Sequence, residues 1–166
     1  MMVVLGCSSV TGGTATIDAA DAPDYRASVS ASAEESAASS SAREAERQES
    51  LTTEAVHTAC ESMSTSSADA IDALNVYVDA TNAGSDGIAA EGPAAEALNR
   101  SADLVLADVN ETLPPEIRDA LNAWVDAARN TATTVLSRAP AGQFNDAVGL
   151  LNDSRANALN LCDAAY

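Results

Sequence analysis

The sequence predicts an all-α fold, an antiparallel up-down four-helix bundle preceded by a flexible or partly helical N-terminal tether. Beyond Leu51, apolar residues recur at intervals of three or four positions, or of about two helical turns, which is the spacing of one helix face. Glycine and proline residues divide this region into four segments with short connections, which favour antiparallel neighbours. No segment alternates apolar and polar residues as a strand would. We therefore assign residues 51–166 to the helical domain.

The region before this domain, residues 8–50, contains almost no large apolar side chains. Between Arg26 and Ser50 only Val29 qualifies. Alanine, glutamate and arginine favour a helix here, but such a helix has no apolar face to bury. We interpret the segment as a disordered or transiently helical tether. The alternative is a solvated extension of the first bundle helix.

The first bundle helix is predicted from an apolar stripe that ends before Gly84, a typical helix stop. Five of the six residues in Ser62–Ser67 are Ser or Thr, whose side chains compete for backbone hydrogen bonds. A reversal near Ser66 is thus the alternative to a continuous helix, which we favour. The stripe consists of Val56, Cys60, Met63, Ile71, Leu74 and Val78.

The second and third helices are each placed by a proline at the expected start, Pro93 and Pro115. Ser85 to Gly92 is expected to form the loop before the second helix. The second stripe is Leu98, Ala102, Val105 and Val109. The third stripe is Ile117, Leu121, Trp124, Ala128, Ala132 and Val135.

The fourth helix follows the break at Ala139–Gly142. Its apolar stripe is Phe144, Val148, Leu151, Ala158 and Cys162. Aromatic residues are 3% of the chain, so Ala, Val and Leu must form most of the core. A core of this kind favours closely spaced helices over a large aromatic pocket.

The charge of the chain restricts its partners. The chain of 166 residues has 25 acidic residues and 8 arginines, without lysine, for a net charge of −17. This charge repels phosphate backbones, so we expect no nucleic-acid partner. The absence of lysine excludes Schiff-base chemistry and a lysine-containing phosphate loop.

The N-terminal residues Val4-Leu5-Gly6-Cys7 resemble the lipobox of bacterial lipoproteins. The resemblance implies cleavage before Cys7, a diacylglycerol thioether on its thiol, and attachment to the outer face of the cell membrane. Residues 1–7 would then be the remnant of a signal peptide. Since such a peptide needs a positive region and a longer apolar region, we expect the true translation start to lie upstream. The alanine-rich, lysine-free composition also resembles small lipoproteins of actinobacteria.

The other two cysteines are predicted to form a disulfide. Cys60 lies near the start of the first bundle helix and Cys162 at the end of the fourth. In an up-down-up-down bundle these positions share one end, on neighbouring helices. Export to an oxidising compartment favours the bond, and Cys7 is assigned to lipid. The alternative is two buried free thiols that behave as small apolar groups.

Few residues stand out as candidates for a functional site. Leu121, Trp124 and Phe144 could line a ligand groove, although aromatic residues on such stripes are more often core. His57 is the single histidine, too few for a zinc site without other ligands. The aspartates of the first two helices fall off the apolar stripes and are expected on solvated faces. We expect no catalytic residues, no metal and no cofactor.

These observations favour a non-enzymatic docking or scaffold module of the cell envelope. It would be held at the membrane by the lipid anchor and would have an envelope protein as its partner. The alternative is a helical module that binds a small ligand between its helices. A hydrolase that works through carboxylates alone ranks third.

Overall fold

The computed structural model describes residues 22–84 and 87–165, and these form four α-helices. The helices are α1 (Ala22–Asn82), α2 (Ile88–Asp108), α3 (Pro115–Leu136) and α4 (Ala141–Ala164). The chain divides into two compact units, residues 1–45 and 46–166. The predicted lipidation site at Cys7 lies outside the described residues. No helix formed by the described residues is both long and apolar enough to span a bilayer.

In the first unit, the described residues belong to α1. Residues 23–45 are helical and every one of them is exposed. Their composition explains both facts, because alanine, glutamate and arginine favour a helix while none of them requires burial. Residues 46–50 of the second unit are also helical and exposed. Within residues 23–50 the structure therefore has the solvated helix, and residues 8–21 of the predicted tether lie outside the described residues.

The second unit is a four-helix bundle, as predicted, in which each helix contacts the next and α4 returns to α1. Ser66 of α1 is hydrogen-bonded to Ser101 of α2, and Trp124 of α3 donates to the same Ser101. The Thr131 hydroxyl of α3 donates to the Ala147 carbonyl of α4. The Arg155 Nε of α4 donates to the Ser67 hydroxyl of α1, 3.0 Å away.

Most residues of the predicted stripes are buried. The exceptions are only partly buried, and they are Ile71, Val78, Phe144, Val148 and Val109, the last of which follows the end of α2. All six stripe residues of α3 are buried, and so are Leu98, Ala102 and Val105 of α2. Alanines supply many of the remaining contacts, which is how helices with few large side chains pack tightly. The buried alanines include Ala59, Ala70, Ala95, Ala120 and Ala158.

The serine-rich stretch does not interrupt α1. The hydroxyls of Thr65 and Ser66 donate to the carbonyls of Glu61 and Ser62, one turn earlier, at 2.8 and 2.7 Å. These bonds satisfy the side chains without removing the helical backbone bonds. Ser67 is also buried and faces the bundle. The prediction of a continuous first helix is confirmed.

The predicted start of the second helix is wrong by five residues. α2 begins at Ile88, and Pro93 lies inside it. Gly87 precedes the helix with φ +66°, a left-handed conformation that glycine adopts without strain. Pro93 lacks an N–H, but near a helix start this removes only one intrahelical bond. Residues 88–92, expected in a loop, are therefore helical.

The glycines at this turn give a matched pair of variants. Gly84 and Gly87 both have positive φ, but a Cβ at Gly84 meets open space, whereas one at Gly87 would lie 2.7 Å from Thr81 Oγ1. Gly84→Ala is expected to lower the free energy of unfolding by about 1 kcal/mol through backbone strain alone. Gly87→Ala should cost about 1–3 kcal/mol more, because of overpacking. Urea unfolding followed by circular dichroism measures both.

The side chain of Thr81 provides the control for this comparison. Its hydroxyl donates to the Tyr77 carbonyl at 2.9 Å, so it moves away from a new Cβ only by breaking that bond. In a Thr81→Ala background, the decrease in the free energy of unfolding caused by Gly87→Ala should become close to the decrease caused by Gly84→Ala. Equal losses for the two glycine variants in the original background would contradict the predicted contact.

Candidate functional site

One end of the bundle is closed by a disulfide between Cys60 of α1 and Cys162 of α4. The sulfurs are bonded and the two Cα atoms lie 5.6 Å apart. Both cysteines are buried. The structure thus joins the two cysteines that the bundle topology places side by side.

The interior of the bundle contains a small network of hydrogen-bonded polar side chains from α1, α2 and α3. The Trp124 indole N–H donates to Ser101 Oγ at 3.2 Å, and Ser101 Oγ lies 2.9 Å from Ser66 Oγ. Ser66 also donates to the Ser62 carbonyl. Among the described residues, no buried side-chain polar atom is without a partner. The polar groups of this core therefore have the hydrogen bonds that burial requires.

The predicted ligand groove is not formed by the three residues assigned to it. Leu121 and Trp124 are fully buried on the inner face of α3, where the indole packs into the core and bonds to Ser101. Phe144 is only partly buried and lies with Tyr77 of α1, their ring centroids 5.8 Å apart. Phe144 packs against the core cluster from its edge and lines a surface cleft.

The histidine and the acidic residues lie mainly on the surface. His57 Nδ1 is 3.9 Å from Glu61 Oε2, and both side chains are exposed. Asp103 is also exposed and pairs with Arg129 at 2.8 Å. Within residues 22–84 and 87–165, no three His, Cys, Asp or Glu side chains are placed to hold a metal ion.

The opposite end of the bundle from the disulfide carries an apolar depression, which we call the α1–α2 groove. Its volume is about 560 Å³. Val76 and Ile88, two of the residues that line it, are 61% and 51% exposed. The sequence does not reveal the groove, because its pattern predicts a loop at Ile88 and Val76 lies off the apolar stripe of α1. The lining consists of Ala73, Val76, Ala80, Gly87, Ile88, Ala89, Ala90 and Pro93.

Acidic side chains follow the same face of α1 as Val76. Asp72 lies four residues before Val76, and Asp79 lies three residues after it, which places all three on one side of the helix. Asp69 precedes Val76 by two turns and is also exposed. Between residues 48 and 82 the chain has neither lysine nor arginine. The groove is therefore apolar along its floor and negative along its α1 edge.

A second depression, which we call the Tyr77–Phe144 cleft, lies at the same end, between the C-terminal end of α1 and the α3–α4 connection. Its volume is about 520 Å³. The Tyr77 and Phe144 rings contact edge to face. Polar side chains also line the cleft, so it differs in character from the α1–α2 groove. These side chains belong to Thr81, Asn82, Arg138 and Asn145.

Arg138 occupies a backbone position that usually requires glycine. It follows the end of α3 with φ +50°. Its N–H donates to the Val135 carbonyl, and the N–H of Ala139 donates to the Thr134 carbonyl. These two bonds define a Schellman motif, in which the left-handed residue is most often glycine. The Arg138 side chain extends to α2, where Nε donates to Glu91 Oε2 at 2.8 Å.

Variants of Arg138 separate its backbone strain from its side-chain contact. Arg138→Ala should lower the free energy of unfolding by up to about 1 kcal/mol, because the ion pair is lost and the strain remains. Arg138→Gly loses the same pair but relieves the strain, and should be about 1 kcal/mol more stable than the alanine variant. Thermal and urea unfolding of the two variants tests this order, and the reverse order would contradict it.

The chain is similar to a family of four-helix bundle domains and to one protein of Mycobacterium tuberculosis. A family model described as the Rv2240c four-helix bundle domain matches residues 42–163. Uncharacterized protein MT2300 of Mycobacterium tuberculosis (strain CDC 1551 / Oshkosh) is 48% identical over 166 residues, which are 100% of this chain and 85% of that protein. No solved structure matches the chain.

Proposed function

The chain belongs to the Rv2240c four-helix bundle domain family, and from that premise we propose that it is a non-enzymatic lipoprotein of the cell envelope. Its helical bundle docks onto a partner protein on the outer side of the membrane. The observation that carries this proposal is the α1–α2 groove, an apolar surface whose large side chains are exposed to solvent.

Export is supported by the use of the cysteines. Disulfides persist in oxidising compartments outside the cytoplasm, and Cys60 and Cys162 form one in the structure. With those two thiols paired, Cys7 in the lipobox-like sequence is the cysteine left for acylation. The actinobacterial relative is consistent with the resemblance in composition. Two acyl chains on Cys7 would provide stable membrane attachment.

Docking is supported by the contrast between the interior and the surface of the bundle. Leu121 and Trp124 fill the core, while Val76 and Ile88 leave much of their apolar surface in water. Large contiguous apolar patches on monomeric proteins often mark interaction sites. A groove between two helices is a common receptor for a third helix from a partner.

Anchoring is tested by producing the protein in an actinobacterial host from its native gene region, with a C-terminal tag. We expect partition into the detergent phase of Triton X-114 and an intact mass that includes a diacylglycerol group on Cys7. Cys7→Ser should move the protein to the aqueous phase, whereas a Cys60→Ser/Cys162→Ser variant should stay with detergent. A mature protein with an unmodified Cys7 and reduced Cys60 and Cys162 would overturn the assignment to the envelope.

Docking is tested by purifying the tagged protein from detergent-solubilised envelopes and measuring the stoichiometry of any partner. Val76→Ser/Ile88→Ser should remove a stoichiometric partner. The control is Leu104→Ser/Leu150→Ser, which changes side chains that are 49% and 62% exposed on α2 and α4, away from the groove lining. Equal recovery of the partner with both double variants would contradict docking through the groove.

A second candidate function, binding of a small ligand, is favoured by the Tyr77–Phe144 cleft. Aromatic rings and amide side chains meet there, and Arg138 is present where the backbone favours glycine. Native mass spectrometry of the protein from its own host tests this function. A bound molecule that is lost from Phe144→Ala and retained by Leu150→Ser would support it.

A further inference from the structure

We infer that the α1–α2 groove receives a basic amphipathic helix of a partner protein. The inference rests on the proposed docking function and adds the chemistry of the partner. Two properties of the groove lead to it, namely the size of its lining side chains and the charge along its edge.

The lining favours a helix with large apolar side chains. Small residues occupy most of the groove, with Ala73 and Ala80 on α1 and Ala89 and Ala90 on α2. Small side chains leave room for the side chains of a neighbouring helix to insert between them, as ridges fit into grooves. A partner with leucine-sized residues at positions i, i+3, i+4 and i+7 would fill this space.

The edge of the groove favours a positively charged partner. Asp69, Asp72 and Asp79 are exposed on the face of α1 that carries Val76. Lysine or arginine residues beside the apolar stripe of the incoming helix would lie near these carboxylates. Complementary charge raises the rate of association and fixes the orientation of a helix in its groove.

The same charges disfavour other occupants. A second copy of this chain would bring the same three aspartates and a net charge of −17 to the interface. Like charges brought together at an interface are unfavourable. An anionic lipid surface is repelled for the same reason. A basic helix is the occupant that satisfies both the apolar floor and the acidic edge.

The test uses the full chain with Cys7→Ser and three synthetic peptides of 18 residues. The first peptide has leucine at i, i+3, i+4 and i+7 spacing and lysine elsewhere. The second replaces lysine by glutamate, and the third has the composition of the first without the stripe. We expect the first peptide to bind at least 10-fold more tightly than either of the others, measured by isothermal titration calorimetry. Amide chemical shifts should change mainly at residues 69–94 of the described chain.

Matched variants locate the binding. Val76→Ser/Ile88→Ser should weaken binding of the first peptide at least 10-fold, and Leu104→Ser/Leu150→Ser should leave it within 2-fold. Asp72→Asn/Asp79→Asn should weaken binding more than Asp153→Asn/Asp163→Asn, which removes two exposed carboxylates from α4. Equal effects of the two aspartate pairs on binding would show that the peptide is attracted only by the net negative charge of the protein. That result, or amide chemical-shift changes spread over α3 and α4, would overturn the inference.

The outcomes for this inference and for docking can be separated. A stoichiometric envelope partner that depends on Val76 and Ile88, together with no preference for the basic peptide, would overturn the inference and leave docking intact. Dimerisation that is abolished by Val76→Ser/Ile88→Ser, seen by sedimentation velocity, would also overturn it, because the occupant would be a second copy. Selective binding of the basic peptide that the groove variants abolish would support it.

Discussion

Replacing both Cys60 and Cys162 by alanine is expected to lower the free energy of unfolding by about 3–5 kcal/mol. The two cysteines are 102 positions apart, so their bond removes much of the freedom of the unfolded chain. Small domains have total stabilities of about 5–15 kcal/mol, so this loss is large. The bond encloses α2, α3 and most of α4 in one covalent loop.

Urea unfolding followed by circular dichroism measures the effect. Dithiothreitol added to the unchanged protein should lower the midpoint by a similar amount, and should have no effect on the double alanine variant. Cys7→Ser is the control, because it removes a thiol without touching the bond. A midpoint that is insensitive to dithiothreitol would show that the bond does not contribute to stability.

Trp124→Ala is expected to lower the free energy of unfolding by about 3–5 kcal/mol. The indole is fully buried on α3, so its removal leaves a large cavity. The loss also takes away the N–H bond to Ser101 Oγ. Trp124→Phe keeps an aromatic ring in the core and should cost less than the alanine change, because its cavity is smaller.

The contribution of the hydrogen bond is obtained from a second variant. Ser101→Ala leaves the Trp124 N–H without its acceptor and Ser66 without its partner on α2, at an expected cost of about 1–3 kcal/mol. Circular dichroism is the suitable probe, because Trp124 is the single tryptophan and its replacement removes the tryptophan fluorescence signal. If Trp124→Ala costs less than 1 kcal/mol, the indole is not central to the core.

The helices of the bundle were predictable because burial imposes a periodic pattern. Leu121, Trp124 and Ala128 follow the period of α3, and each is buried as expected. The start of α2 was not predictable from Pro93, since proline is accepted at several positions near a helix start. The deciding feature was the conformation of Gly87, and a glycine alone does not reveal its φ value.

The surface sites were less accessible to sequence reasoning. A stripe position tells which face of a helix a residue occupies, but not which residue lies opposite. The pattern therefore does not predict that Phe144 contacts Tyr77. The groove depends on Ile88 being helical, which followed only from the observed start of α2. Arg138 gave no signal, because arginine is not the residue that the end of α3 is expected to carry.

The position of the disulfide also determines how the molecule would respond to mechanical tension. A pull between the two chain ends would pass from Cys60 directly to Cys162 through the sulfur atoms. Residues 61–161 would then bear none of the load. A protein held at its N-terminus and pulled near its C-terminus would therefore keep α2 and α3 unstretched.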